Sequence, residues 1–85
     1  MLFESRRVDH VRSLLRDRQL SSALRELAEL DRSLPRGVLV QEREALRIEA
    51  LLGLGERARA REEARRFLAR YPGSPHTKSV ERALR

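Results

Sequence analysis

The sequence predicts an all-α fold, in which two stacked antiparallel helical hairpins are followed by a short C-terminal capping helix. Three observations support this prediction. Leu, Ala, Glu and Arg dominate the 85 residues, and these residue types favour helix. Apolar side chains recur at helical spacing in four consecutive segments. The pattern of the first two segments also returns in the next two, where Pro35 is matched by Pro72, 37 residues later.

The first hairpin is predicted from helix 1, residues 4–17, and helix 2, residues 20–34. The apolar stripe of helix 1 consists of Val8, Val11, Leu14 and Leu15. The stripe of helix 2 consists of Leu20, Ala23, Leu24, Leu27, Leu30 and Leu34. Pro35 ends helix 2 and Gly37 completes the break, because proline lacks the backbone donor that a continuing helix needs.

The second hairpin is predicted from helix 3, residues 38–54, and helix 4, residues 57–71. Their stripes consist of Ala45, Ile48, Leu51 and Leu52, and of Ala60, Ala64, Phe67, Leu68 and Tyr71. Gly55 follows helix 3, where glycine suits a left-handed C-terminal cap. Pro72 ends helix 4, because proline disfavours helical geometry in the residue before it.

A short helix 5 is predicted over residues 75–84. Ser74 is a natural N-cap and Pro75 suits the first helical position. Val80 and Leu84 are its expected apolar anchors.

The 37-residue offset indicates an internal repeat. At this offset Val11 falls on Ile48, and Ala23 falls on Ala60. We therefore expect one domain, residues 1–85, with repeat 1 at about 4–35, repeat 2 at about 38–72 and a capping helix at about 75–84. A period of roughly 20 to 50 residues built from helix pairs is typical of a solenoid.

Leu14, Ala23, Leu27 and Pro35 in the first repeat, and Leu51, Ala60 and Pro72 in the second, stand at the spacing of tetratricopeptide repeats. The chain therefore resembles that family over about residues 4–85. It departs from the family pattern at Ala64 and Phe67, where the sizes of the two side chains are exchanged. The resemblance implies a helical solenoid that binds protein partners.

The segment from Phe67 to His76, FLARYPGSPH, resembles the repeat junctions of bacterial envelope proteins, among them periplasmic scaffold proteins. The resemblance leaves two compartments open, the periplasm, for a domain of a longer bacterial protein, and the cytoplasm. The residues at the N-terminus predict no signal peptide, since Met1 to Val8 lacks a long apolar core.

The sequence contains no pattern that points to catalysis. There is no cysteine, no glycine-rich phosphate loop and no nucleophile elbow. His10 and His76 are the only histidines, and neither has a partner at metal-ligand spacing. We therefore expect a protein that is not an enzyme, with no catalytic residues, no metal site and no cofactor. No apolar run approaches the roughly 20 residues of a membrane span.

In the tetratricopeptide family, partners dock on the concave face that the first helix of each hairpin lines. The resemblance carries this groove onto Ser5, Val8, Arg12, Leu15, Arg16, Glu42, Ala45, Glu49 and Leu52. Arg12 and Arg16 lie one turn apart and suit the binding of a carboxylate or an acidic peptide. The alternative, which the sequence favours, is that these arginines are solvated or that Glu42 and Glu49 neutralise them across the groove.

A ridge of arginines on helix 4 supports an alternative function. Arg57, Arg61 and Arg65 recur every four residues in a chain of net charge +6, which suits a nucleic acid or another polyanion. The interleaved Glu56, Glu62 and Glu63 favour a solvated helix face with internal ion pairs instead. A protein or peptide partner is accordingly the favoured expectation, and nucleic acid the less favoured one.

The number of repeats favours self-association. Solenoids generally need about three repeats, because each hairpin covers the apolar face of its neighbour. Here Leu2, Phe3 and Val8 are expected to remain open at the first hairpin. Such an apolar end predicts a homodimer or a position within a longer array.

Overall fold

The computed structural model describes residues 2–85, apart from the side chain of Leu2, and confirms an all-α fold without strands in that range. The helices are α1 (Leu2–Arg16), α2 (Leu20–Ser33), α3 (Val40–Gly53), α4 (Arg57–Arg70) and α5 (Thr77–Glu81), followed by a C-terminal 3-10 helix (Arg82–Leu84). α1 packs against α2, α3 packs against α4, and α2 packs against α3. The chain is therefore two hairpins, with the short C-terminal helices against the second.

The apolar stripes form one core cluster in each hairpin. The cluster of the first hairpin contains Val11, Leu15, Leu20, Ala23, Leu27 and Ala50. The cluster of the second contains Ala45, Ile48, Leu51, Ala60, Ala64, Phe67, Val80 and Ala83. Leu24 packs against both clusters, and Ala50 of α3 belongs to the first. These two residues join the hairpins into one core.

The C-terminal helix caps the second hairpin, although its boundaries differ from the prediction. Val80 and Ala83 are buried in the second core cluster, whereas Leu84 is exposed. Pro75 lies in a turn, and α5 begins at Thr77 instead of residue 75. The Ser74 hydroxyl accepts the His76 N–H at 3.1 Å, so this serine stabilises the turn that precedes the helix.

The two hairpins share the geometry of the turn between their helices. Gly55, after α3, has φ +81°, and its N–H donates to the Leu52 carbonyl at 3.0 Å. Arg18 takes the equivalent position after α1, with φ +60°, and donates to the Leu15 carbonyl at 3.1 Å. Both are left-handed helix caps of the kind predicted at Gly55, which confirms that prediction. The arginine adopts this conformation at a cost that glycine does not have.

We expect Arg18→Gly to raise the free energy of unfolding by about 0.5 to 1 kcal/mol. The left-handed conformation costs a non-glycine residue about 1 to 2 kcal/mol, and the greater freedom of glycine in the unfolded chain offsets part of the gain. Urea unfolding followed by circular dichroism measures the change. The matched variant Gly55→Ala is expected to shift stability in the opposite direction. A loss of stability in Arg18→Gly would show that the arginine side chain outweighs the backbone strain.

α3 begins at Val40, two residues later than predicted, because Glu4 binds the preceding backbone. The carboxylate of Glu4 accepts hydrogen bonds from the backbone N–H groups of Val38, at 3.0 Å, and Leu39, at 3.2 Å. Glu4 is buried, with 3% of its surface exposed. α1 therefore anchors the loop between the hairpins through one carboxylate.

Arg43 of α3 completes this buried polar cluster. Its Nη1 donates to the Glu4 carboxylate at 2.9 Å and to the Leu34 carbonyl at 3.0 Å, and its Nη2 donates to Asp31 at 3.3 Å. Gly37 makes room for the cluster, since a Cβ there would lie 2.2 Å from a Glu4 oxygen. The cluster thus connects α1, the end of α2 and α3.

The expected apolar end of the first hairpin is only partly present. Val8 is fully buried in α1, so its assignment to an open end was wrong. Phe3 is 57% exposed, with the guanidinium of Arg7 5.3 Å from its ring centre. The expectation for Leu2 falls on a side chain outside the described residues. The other exposed residues of α1 and α2 are polar, so the homodimer stays a prediction that rests on Phe3 alone at this hairpin.

Candidate functional site

Two adjoining clefts form a groove along α1, α3 and the C-terminal helices, called here the α1–α3 groove. The first cleft, of about 260 Å³, is lined by Arg12, Leu15, Arg16, Leu46 and Glu49. The second, of about 300 Å³, is lined by Arg18, Glu49, Leu52, Gly53, Ser79 and Arg82. Glu49 belongs to both, so the clefts adjoin each other at this residue. Four arginines and one carboxylate therefore line a groove that also contains leucines.

The structure brings most of the predicted groove residues together. Arg12, Leu15, Arg16 and Glu49 line the first cleft, and Leu52 lies in the second. Leu15 is 8% exposed and also belongs to the first core cluster. It therefore contributes only a small apolar area to the base of the groove.

Four of the nine predicted groove residues line neither cleft, namely Ser5, Val8, Glu42 and Ala45. Val8 and Ala45 are buried in the core, with 0% and 8% of their surfaces exposed, and neither lines a cleft. Ser5 is exposed but lines neither cleft. Helical spacing placed Val8 and Ala45 on the correct helices, yet both turn toward the neighbouring helix because their apolar surface is buried there.

Arg12 is already neutralised, as the alternative prediction proposed. Its guanidinium donates to the carboxylates of Glu42, on α3, and Asp9, on α1. Glu42 thus acts as an internal partner and does not line either cleft. Glu49, the second acid expected to neutralise the arginines, is exposed and makes no ion pair within residues 2–85.

Three other arginines of the groove have no carboxylate partner in the described part of the chain. Arg16 donates to the Ser13 hydroxyl at 2.9 Å, and Arg82 donates to the Ser79 hydroxyl at 3.2 Å. Arg18 lies at the left-handed cap of α1 and is exposed. The positive charge of these side chains is available to a ligand.

Sequence reasoning missed Arg18, Leu46, Gly53, Ser79 and Arg82 as groove residues. The internal repeat could have identified Arg18. It occupies the position that Gly55 has in the second repeat, and so lies in the tight turn between two helices. Gly53 lies close to Leu20, and a Cβ added at Gly53 would therefore be only 2.7 Å from the leucine side chain. No local pattern places Ser79 and Arg82 beside α3, since that contact depends on how the C-terminal helix folds back.

A larger cleft, of about 460 Å³, lies on the opposite face of α3, between α2 and α4. Its arginines are paired within the protein. Arg47 donates to Glu63 at 2.9 Å, and Arg66 lies 3.8 Å from Glu62. Arg43 is held by the buried cluster around Glu4.

Arg70 completes the charge pairing in this larger cleft. It lies 3.9 Å from the Glu44 carboxylate, which also accepts a hydrogen bond from the Tyr71 hydroxyl at 3.2 Å. The Tyr71 hydroxyl first, and Glu44 second, raise the pKa of Arg70 above its ordinary value. The cleft therefore offers a ligand paired charges, unlike the α1–α3 groove.

The arginine ridge of α4 is exposed to solvent along its whole length. Arg57, Arg61 and Arg65 are all exposed, and none of them makes an ion pair with another described residue. The interleaved acids favoured a solvated helix face with internal ion pairs. Glu62 pairs with Arg66 on α4 and Glu63 pairs with Arg47 on α3, so both of these pairs lie outside the ridge itself.

Comparison with known proteins adds no further assignment. The chain matches no protein-family model, no curated protein and no solved structure. Among the described residues, no group of three acidic or histidine side chains is arranged to hold a metal ion. No helix in that part of the chain is both long and apolar enough to cross a membrane.

Proposed function

We propose that this protein is a non-catalytic protein-interaction module of tetratricopeptide type, whose α1–α3 groove binds an acidic segment of a partner protein. The observation that carries the proposal is the pair of adjoining clefts with an excess of arginine that is unpaired among the described residues. Within the described part of the chain, Arg16, Arg18 and Arg82 line it without carboxylate partners, and Glu49 is its only acid. A ligand with carboxylates would complement this charge.

The apolar surface of the groove defines the partner further. Leu46 and Leu52 are half-buried, and each packs against a core cluster while lining the groove. They present apolar area between the arginines. The favoured ligand is therefore a short peptide that alternates acidic and apolar side chains, bound as an extended segment or a helix.

The test measures binding of a fluorescent peptide of alternating Glu and Leu residues by anisotropy. The wild-type protein is expected to bind this probe more tightly than the matched peptide of alternating Lys and Leu. Arg16→Glu combined with Arg18→Glu is expected to weaken binding by about tenfold or more, because the variant places like charges opposite the ligand.

The matched control reverses two exposed arginines outside the groove, Arg6→Glu combined with Arg25→Glu. It changes the net charge by the same amount and is expected to alter the affinity less than about twofold, since rim and distant charges act weakly through screened solvent. Equal binding of the acidic and basic peptides, or equal losses in both variants, would overturn the proposal.

A further inference from the structure

A second surface, formed by Arg57, Arg61 and Arg65 on α4, differs in kind from the groove. The three arginines recur every four residues, so successive side chains are about 6 Å apart along the helix axis. All three are exposed, and their spacing arranges the guanidinium groups in one row along the helix. A row of cations at this spacing suits a ligand with a regular series of negative charges.

The nearby carboxylates are occupied elsewhere, which leaves the row positive. Glu62 pairs with Arg66, and Glu63 pairs with Arg47 of the neighbouring helix at 2.9 Å. Both acids therefore form their ion pairs on the side of α4 that faces α3 and the larger cleft. Glu56, exposed at the start of α4, is the remaining acid beside the row in sequence.

The C-terminal helices carry a separate group of cations. Lys78, Arg82 and Arg85 line a shallow depression there, and none of them has a carboxylate partner in the described residues. α4 packs against both α5 and the C-terminal 3-10 helix. Leu68, three residues after Arg65, packs against the core cluster that contains Val80. Arg82 also lines the α1–α3 groove, so the basic face considered below consists of Arg57, Arg61 and Arg65.

We propose that this basic face binds the phosphate backbone of a nucleic acid duplex, without reading its sequence. Guanidinium groups bind phosphates through paired hydrogen bonds, and such contacts are independent of base identity. Single strands are less suited, because α4 offers no exposed ring for base stacking. Phe67 is 1% exposed, and the half-buried Tyr71 packs edge-on against it at 5.0 Å. A bilayer is also less suited, since the apolar stripe of α4 is buried in the core.

The test measures binding of a short fluorescent DNA duplex by anisotropy between about 50 and about 200 mM salt. The variant Arg57→Gln/Arg61→Gln/Arg65→Gln is expected to weaken binding by about tenfold or more at the lower salt concentration. It is also expected to reduce the magnitude of the slope of log affinity against log salt by about 2 to 3. The reason is that binding releases about one counterion fewer for each phosphate contact that is lost.

The matched control removes three exposed arginines elsewhere, in Arg6→Gln/Arg25→Gln/Arg36→Gln. It lowers the net charge equally and is expected to change the affinity less than about threefold, with little change in slope. Equal losses in both variants would mean that net charge alone attracts the duplex and would overturn the proposal. So would arginine-dependent binding to vesicles of phosphatidylcholine and phosphatidylserine in the absence of duplex binding. The α1–α3 groove variant is expected to bind the duplex almost as the control does, which separates this test from that of the peptide site.

Discussion

Arg43→Met is expected to lower the free energy of unfolding by about 3 to 5 kcal/mol, because it leaves the buried carboxylate of Glu4 without a counter-charge. In the native protein the two side chains are 2.9 Å apart and are only 3% and 4% exposed. Glu4 also accepts hydrogen bonds from two backbone N–H groups, but these hydrogen bonds do not neutralise its charge. The shift in the midpoint of urea unfolding, at constant slope, measures the loss.

A second ion pair of this protein provides the control for that prediction. Arg47 donates to Glu63 at 2.9 Å, but these side chains are 30% and 20% exposed. Arg47→Met is therefore expected to cost about 1 kcal/mol or less. The double variant Glu4→Leu/Arg43→Met should recover most of the loss seen in Arg43→Met, since apolar side chains often replace a buried pair without penalty. Equal costs for the two single arginine variants would contradict the special role of the buried pair.

Phe67→Ala is expected to destabilise the protein by about 3 to 5 kcal/mol. Phe67 is fully buried in the second core cluster, where it contacts the edge of Tyr71 and supports the packing of α4 on α3. A chain of 85 residues has a total stability of about 4 to 13 kcal/mol. The variant is therefore expected to lose a large part of its stability, and thermal unfolding followed by circular dichroism measures this loss.

The other phenylalanine of the chain is the matched control. Phe3 is 57% exposed, so Phe3→Ala removes a similar side chain without opening a core cavity. It is expected to change the stability by about 0.5 kcal/mol or less. A larger loss in Phe3→Ala than in Phe67→Ala would show that the end of α1 contributes more to the fold than the second core cluster.

The candidate site was predicted in part, and the errors have a common cause. Helical periodicity identifies the apolar stripe of a helix, and the stripe of α1 contains Val8, Val11 and Leu15 as expected. It does not specify which member of the stripe faces the paired helix and which borders a groove. That choice depends on the rotation of α1 against α2 and α3, so Val8 is in the core while Leu15 touches the groove.

The sequence by itself determined the four long helices and their C-terminal ends, because these follow from local chemistry. Pro35, Pro72 and Gly55 end helices through constraints within a few residues, and the stripes follow from the helix period. The tertiary structure alone decided which charges meet. Glu4 and Arg43 are 39 residues apart, and only the packing of α1 across the loop before α3 brings them together. The packing of α3 on α4 joins Arg47 to Glu63, while Arg57, Arg61 and Arg65 of α4 make no ion pair with a described residue. Contacts of this kind depend on distances between helices that no local pattern encodes.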